Sequence, residues 1–241
     1  MKKSFLLICL GFVSLSILGQ TSEQQMDSIL LGHYIYPDKG KEYRLHPEAE
    51  KAFEKMRSAA LQDGIDIEVV SSFRSYAAQK RIWNRKFKRF TSEGISAKDA
   101  INKIIEYSTL PGTSRHHWGT DIDLILRHSN VKGDVLLDSL FHKNNAFSTL
   151  RQWMERHASD YGFHLVYDQD SLRKGFRYEP WHYSYKKLSK VYLSKYVQKR
   201  MLMKIKNDST VLGYQIMDRL FMDQYEKEQI LGIHPLLQPE D

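Results

Sequence analysis

From Phe5 to Leu18 the chain is apolar apart from Gly11, Ser14 and Ser16, and Lys2 and Lys3 stand in front of it. A basic start before an apolar run shorter than the roughly 20 residues of a membrane span is the pattern of a secretory signal segment. Ser16, Gly19 and the polar stretch Gln20 to Gln25 put its end near residue 20. Ile17 occupies a position where cleavage favours a small residue, so an uncleaved anchor is the competing expectation.

Beyond this segment the apolar positions take on secondary-structure periods. Ala49, Phe53, Met56 and Ala60 follow Pro47 at helical spacing, and Gly64 is the expected terminator. Ile65 to Val70 alternates apolar and acidic residues as a strand does, ending at Ser71 and Ser72. Ser75 to about Phe90 reads as a basic helix carrying Lys80, Arg81, Arg85, Lys86, Lys88 and Arg89, and Ser96 caps another through Glu106. After a loop from Pro111 to Ser114, Asp121 to Leu126 reads as a short strand. Leu150, Trp153, Met154, Ala158 and Tyr161 mark one helical face stopped by Gly162. His164 to Tyr167 and Phe176 to Tyr183 are expected as two more strands, joined by the polar turn Asp168 to Gly175. From Ser184 the pattern is helical again, in two segments broken near Asn207. This mixture predicts an α+β fold: a small antiparallel sheet with helices packed around it, plus a C-terminal helical extension.

Composition narrows the chemistry without identifying it. The 241 residues include 36 Lys and Arg against 29 Asp and Glu, and loss of Lys2 and Lys3 with the signal segment would lower the net charge from +7 to +5. Such a mild excess suits work beside anionic envelope polymers, and no nucleic-acid recognition motif accompanies it. Cys9, the one cysteine, lies inside the apolar run rather than at its end, where a lipid-bearing cysteine would stand. The mature chain is therefore expected without disulfides or thiolates, so any metal must be held by histidines and carboxylates.

Three segments hold residue types that fit such chemistry. In Ser114-Arg115-His116-His117-Trp118-Gly119-Thr120-Asp121-Ile122-Asp123, His116 and Asp123 would face opposite ways on a continuous strand. Gly119 between them can bend the chain and let a loop histidine meet a strand aspartate. In Tyr178-Glu179-Pro180-Trp181-His182, Pro180 pushes Glu179 into an extended conformation, where three residues per turn put Glu179 and His182 on one side. One of them can then ligate a metal while the other stands beside it as a base. In Ser71-Ser72-Phe73-Arg74-Ser75-Tyr76-Ala77-Ala78-Gln79 a strand hands over to a helix, and Arg74 can aim its fork at a carboxylate or an oxyanion. Singly, each segment also reads as ordinary structure: a His–Asp surface pair, an edge strand, a solvated basic residue.

In this order and spacing, the three segments resemble the VanY-type D-alanyl-D-alanine carboxypeptidases, which are zinc D,D-peptidases. Ser114, His116, Gly119 and Asp123 match that family's first motif, and Glu179, Trp181 and His182 its second. Arg74, Ser75, Tyr76 and Gln79 match the element upstream of both. The resemblance implies one zinc ion held by His116, Asp123 and His182, with Glu179 as general base and Arg74 polarising the scissile carbonyl or holding the developing oxyanion. It also implies Ser114, Arg74, Tyr76 and Gln79 as substrate-binding residues. The corresponding organisation is a signal peptide over 1–20, a catalytic domain over 21–190 and a helical extension over 191–241.

Asp121 departs from the family pattern, which has Ala there. On a regular strand it points the same way as Asp123. It is then an acceptor behind a ligand histidine, the role favoured here, or a contact for a basic substrate group, or a competing ligand. His117 is expected to point away from the site. The resulting expectation is an exported zinc metallopeptidase, secreted or periplasmic, hydrolysing the terminal D-Ala of peptidoglycan stem peptides. Its partner is a stem peptide ending in D-Ala, with no nucleic acid and no transmembrane span in the mature chain. The alternatives are an L,D-carboxypeptidase acting on tetrapeptide stems and a non-catalytic peptidoglycan-binding module on the same fold. The presence of Glu179 speaks against the last.

Overall fold

The computed structural model describes residues 22–205 and 208–239. The expected signal segment and the expected break at Asn207 lie outside the described residues. Helix α1 covers residues 22–30. Helix α2 (Pro47–Gln62) begins where local chemistry favours it: Pro47 opens the first turn, the His46 ring accepts the Glu48 N–H, and Glu48 and Glu50 sit at the positive end of the helix dipole. Its stripe of Ala49, Phe53, Met56 and Ala60 is buried. Helix α3 (Tyr76–Ser92) is capped by the Ser75 hydroxyl on the Ala78 N–H, and α4 (Ala97–Ile104) by the Ser96 hydroxyl on the Asp99 N–H.

Four strands, β1 (Ile67–Ser71), β2 (Asp121–Leu126), β3 (Phe163–Leu165) and β4 (His182–Tyr185), form one sheet in the order β1-β2-β4-β3. All neighbours are antiparallel, so the expected α+β architecture is the observed one. Asp123 on β2 lies opposite Ser71 on one side and His182 on the other. Ile122 and Leu124 point into a core shared with α2 and with α5 (Ser148–His157). Asp121 and Asp123, on the opposite pleat, face away from that core.

The strand expected over Phe176 to Tyr183 begins only at His182. Pro180 has no N–H to give to a ladder, and the chain around it turns, the His182 N–H donating to the Glu179 carbonyl at 3.1 Å. The extended path expected for Glu179 to His182 is therefore a turn, although it still puts the two side chains together. After β4, α6 (Lys186–Gln198), α7 (Met201–Ile205) and α8 (Arg219–Tyr225) follow. Tyr192, Tyr196, Met222 and Tyr225 join Trp83, Phe90, Ile101 and Leu110 in a second hydrophobic cluster. This packing reaches the loop ahead of His116. The Tyr225 hydroxyl accepts the Leu110 N–H at 2.9 Å, and the Tyr196 hydroxyl donates to the Gly112 carbonyl at 2.9 Å. No helix among the described residues is long and apolar enough to cross a membrane.

Candidate active site

The register of β2 against β4 sets Asp123 beside His182, and the 3-10 turn Arg115–Trp118 brings His116 to the pair. Gly119 ends that turn with φ 65°. A Cβ there would stand 2.7 Å from the Tyr36 ring and 2.8 Å from the His46 nitrogen, so the bend requires glycine. The Tyr36 hydroxyl donates to the Trp118 carbonyl at 2.7 Å and the His46 N–H to the Gly119 carbonyl at 2.8 Å, which pins the bend from outside.

His116, Asp123 and His182 are buried, and one ligand atom from each lies within 4.8 Å of the others. Nδ1 of His116 donates to the Ser72 carbonyl at 2.8 Å, leaving Nε2 to face Asp123 Oδ2 at 3.3 Å. His182 gives Nε2 to Asp121 at 2.9 Å and turns Nδ1 toward Glu179 Oε2 at 3.1 Å and Asp123 Oδ1 at 3.7 Å. Asp123 Oδ1 is buried without a hydrogen-bond partner among the described residues. A buried carboxylate oxygen lacking a donor is costly, and a cation between it and the two imidazoles removes the cost. Two imidazole nitrogens and one carboxylate form a donor set that fits a divalent metal such as zinc with a position left open.

Electrostatics agree with this reading. Burial opposes the cation on His182, but Asp123, Asp121 and Glu179 outweigh it and push its pKa up to about 10. Burial likewise opposes the Asp123 anion, and His116 and His182 outweigh it, holding the carboxyl below the usual range. A metal at Nδ1 has to displace the His182 proton. Apparent metal affinity is therefore expected to rise with pH, roughly tenfold per unit while His182 would otherwise be protonated. Zinc titrations at about pH 6, 7 and 8 check this, and a flat profile would mean that no proton leaves His182 on binding.

Glu179 is nearly buried, and its N–H donates to the Tyr167 carbonyl at 3.1 Å, so a distant segment fixes its place beside His182. Arg74 follows β1. Its Nη1 donates to Gln79 Oε1 at 3.0 Å, its Nη2 to Ser71 Oγ at 2.8 Å, and its N–H to the His116 carbonyl at 3.1 Å. Ser114 immediately precedes the His116 turn, with its hydroxyl buried and without a partner among the described residues. Gln79 is fully buried beneath Arg74, its amide nitrogen donating to the Thr109 carbonyl at 2.8 Å. Tyr76 turns its hydroxyl to Asp208 at 2.6 Å. Of the residues implied to bind substrate, Gln79 thus supports Arg74 from below and Tyr76 is engaged with the C-terminal segment.

His117 does point away from the triad. The Gly112 N–H donates to its Nε2 at 3.0 Å, so its Nδ1–H donates to the Arg74 carbonyl at 2.5 Å. Burial pushes its pKa down to about 3, and the neutral ring ties the Arg74 segment to the loop ahead of Ser114.

Two cations at the site were not singled out from the sequence. Arg115 is buried against Asp121, its Nε 2.9 Å from Oδ2. Lys86 is half-buried although Arg81, Arg85 and Arg89 of the same helix are exposed. Burial and the neighbouring Arg89, Arg74 and Arg85 lower its pKa, with Glu179 pulling the other way, so Lys86 belongs to the charge environment of the site. A readable signal existed: Lys86 lies two helical turns after Gln79 and shares its face.

The profile of the VanY D-alanyl-D-alanine carboxypeptidase family matches residues 42–188. The chain belongs to this family. In this VanY-family chain the matched stretch contains Arg74, Ser114, the His116–Asp123–His182 triad and Glu179, while α1 and everything after Leu188 lie outside it. The bifunctional D-Ala-D-Ala dipeptidase and D-Ala-D-Ala carboxypeptidase VanXYC of Enterococcus gallinarum is 30% identical over 143 residues, covering 58% of this chain and 66% of the relative. The D-alanyl-D-alanine carboxypeptidase of Enterococcus faecalis (strain ATCC 700802 / V583) is 26% identical over 143 residues, covering 59% of this chain and 47% of the relative. The VanY-family chain thus spans less than two thirds of the length of either. A solved structure of VanYB in complex with D-alanine-D-alanine shares the fold, with a TM-score of 0.52 at 19% identity, covering 73% of this chain and 91% of that one.

Proposed function

We propose that this VanY-family protein is an exported zinc peptidase that removes the terminal D-alanine from peptidoglycan stem peptides. The observation that carries the proposal is Asp123 Oδ1, without a partner among the described residues, grouped with the imidazoles of His116 and His182, with the Glu179 carboxylate 3.1 Å from His182 Nδ1. His116, Asp123 and His182 would hold the ion, and a zinc ion there supplies Lewis acidity toward water and the scissile carbonyl. Glu179 takes the proton of the attacking water and passes it to the departing amine. Arg74, steadied by Gln79 and Ser71, offers its guanidinium to the carbonyl oxygen as negative charge develops there. The Ser114 hydroxyl, buried ahead of the His116 turn and without a partner among the described residues, would bond the peptide beside the cut. The VanXYC relative, which acts on D-Ala-D-Ala, supports the substrate class. Export rests on Lys2, Lys3 and the apolar run behind them.

A muropeptide digest tests the proposal. Purified mature protein loaded with zinc meets pentapeptide and tetrapeptide stems, and mass spectrometry follows loss of one alanine. Loss from the pentapeptide alone is expected. Loss from the tetrapeptide would make the enzyme an L,D-carboxypeptidase. Loss from neither, with zinc bound and the fold intact, would overturn the proposal in favour of a binding module or a cross-link endopeptidase.

A further inference from the structure

Asp121 is fully buried, and its carboxylate is saturated with donors. Oδ2 accepts from Arg115 Nε at 2.9 Å and from His182 Nε2 at 2.9 Å. Oδ1 accepts from the Ser184 hydroxyl at 2.7 Å and from the Thr120 hydroxyl at 2.7 Å. A carboxylate offers about four lone-pair sites, so none remains for a metal or a substrate group. Arg115 Nη2 also donates to the Ser184 hydroxyl at 2.8 Å, closing a ring of three side chains. The Arg115 guanidinium lies over the Trp118 ring, 5.0 Å from its centroid. The contrast with Asp123 is direct: that carboxylate, two residues along the same pleat, keeps one oxygen without a partner among the described residues.

We propose that Arg115 and Asp121 are a positioning pair for the metal site, Asp121 holding the Nε2–H of His182 so that Nδ1 is presented to the metal, and Arg115 fixing Asp121 and cancelling its charge. The inference rests on the metal-site reading given above. An imidazole that donates from one nitrogen to a carboxylate carries its lone pair on the other, and the carboxylate makes that lone pair a stronger ligand. The four bonds to Asp121 prevent it from rotating toward the metal and competing with Asp123. With Asp121 neutralised by Arg115, the two charges of a divalent ion are balanced by Asp123 and Glu179 rather than overbalanced by a third carboxylate. Among the three roles the sequence left open for Asp121, the geometry selects the acceptor behind a ligand histidine.

Removing Asp121 alone strands a buried guanidinium, so the informative protein is the double variant Arg115→Met with Asp121→Ala. Its affinity for Co(II), read by ligand-field absorption, is compared with that of the wild type after circular dichroism establishes the fold. The double variant is expected to bind about 10- to 100-fold more weakly, with a changed Co(II) spectrum. Equal affinity and an unchanged spectrum would make the pair a purely structural ion pair and overturn the inference. A second measurement needs no variant. In the zinc-loaded wild type, imidazole 15N shifts should show His182 protonated at Nε2 and metal-bound at Nδ1, and the reverse assignment would overturn the inference as well. Wild-type protein that takes up no metal would overturn the site reading and the inference together. Because both readouts follow the metal, failure of the peptidase assay alone leaves this inference standing.

Discussion

Glu179→Gln is expected to keep its zinc and to hydrolyse the pentapeptide about a hundred- to ten-thousandfold more slowly than the wild type. The three converging ligand groups are His116, Asp123 and His182, and Glu179 stands outside them with Oε2 3.1 Å from His182 Nδ1. Glutamine keeps the size of the side chain and its place in the turn but has no carboxylate to receive a proton. The lost interaction belongs to the transition state, so kcat should fall while KM holds. Metal content and steady-state kinetics on one preparation make the check. A variant that loses zinc together with activity would make Glu179 a ligand, and an unchanged kcat would remove it from the chemistry.

Metal removal should have the next largest effect, on activity and on stability alike. Chelation is expected to reduce hydrolysis to background, and added zinc to restore it in the wild type but not in His116→Ala. The stability effect follows from the site itself, because without an ion Asp123 Oδ1 stays buried with no partner among the described residues. A ligand bound only by the folded state contributes about 2.7 kcal/mol at a hundred times its dissociation constant. For a chain of this size that corresponds to a rise in Tm of about 5–10 °C on adding zinc. A Tm indifferent to zinc, in protein whose activity survives chelation, would mean that the triad works without a metal.

Much of the site was legible as composition and spacing, and the parts that were not are instructive. The bend at Gly119 was readable because a histidine on a loop and an aspartate on a strand need one, and the observed φ of 65° supplies it. The strand expected over Phe176 to Tyr183 begins only at His182, because Pro180 has no N–H for a ladder and the chain around it turns, closed by the His182 N–H on the Glu179 carbonyl and held by the Glu179 N–H on the Tyr167 carbonyl. The partial burial of Lys86 was not legible, because local sequence does not say which turn of a basic helix a neighbouring segment covers.

The sequence by itself determined where α2, α3 and α4 begin, since Pro47, Ser75 and Ser96 act on N–H groups within the next few residues. It also determined the limits of β2 and the residue types available to hold a metal, because alternation and the lack of cysteine after Cys9 are properties of the chain alone. Only the tertiary structure decided which nitrogen of His182 meets Asp121, and that donors saturate the Asp121 carboxylate while one Asp123 oxygen has no partner among the described residues. Those choices depend on the order β1-β2-β4-β3, which lays Asp121 against Ser184, 63 residues away, and places Arg115 under both. Caps and periodicity act over a turn or two of chain, whereas the pairing of buried charges is settled only when strands distant in sequence come into register.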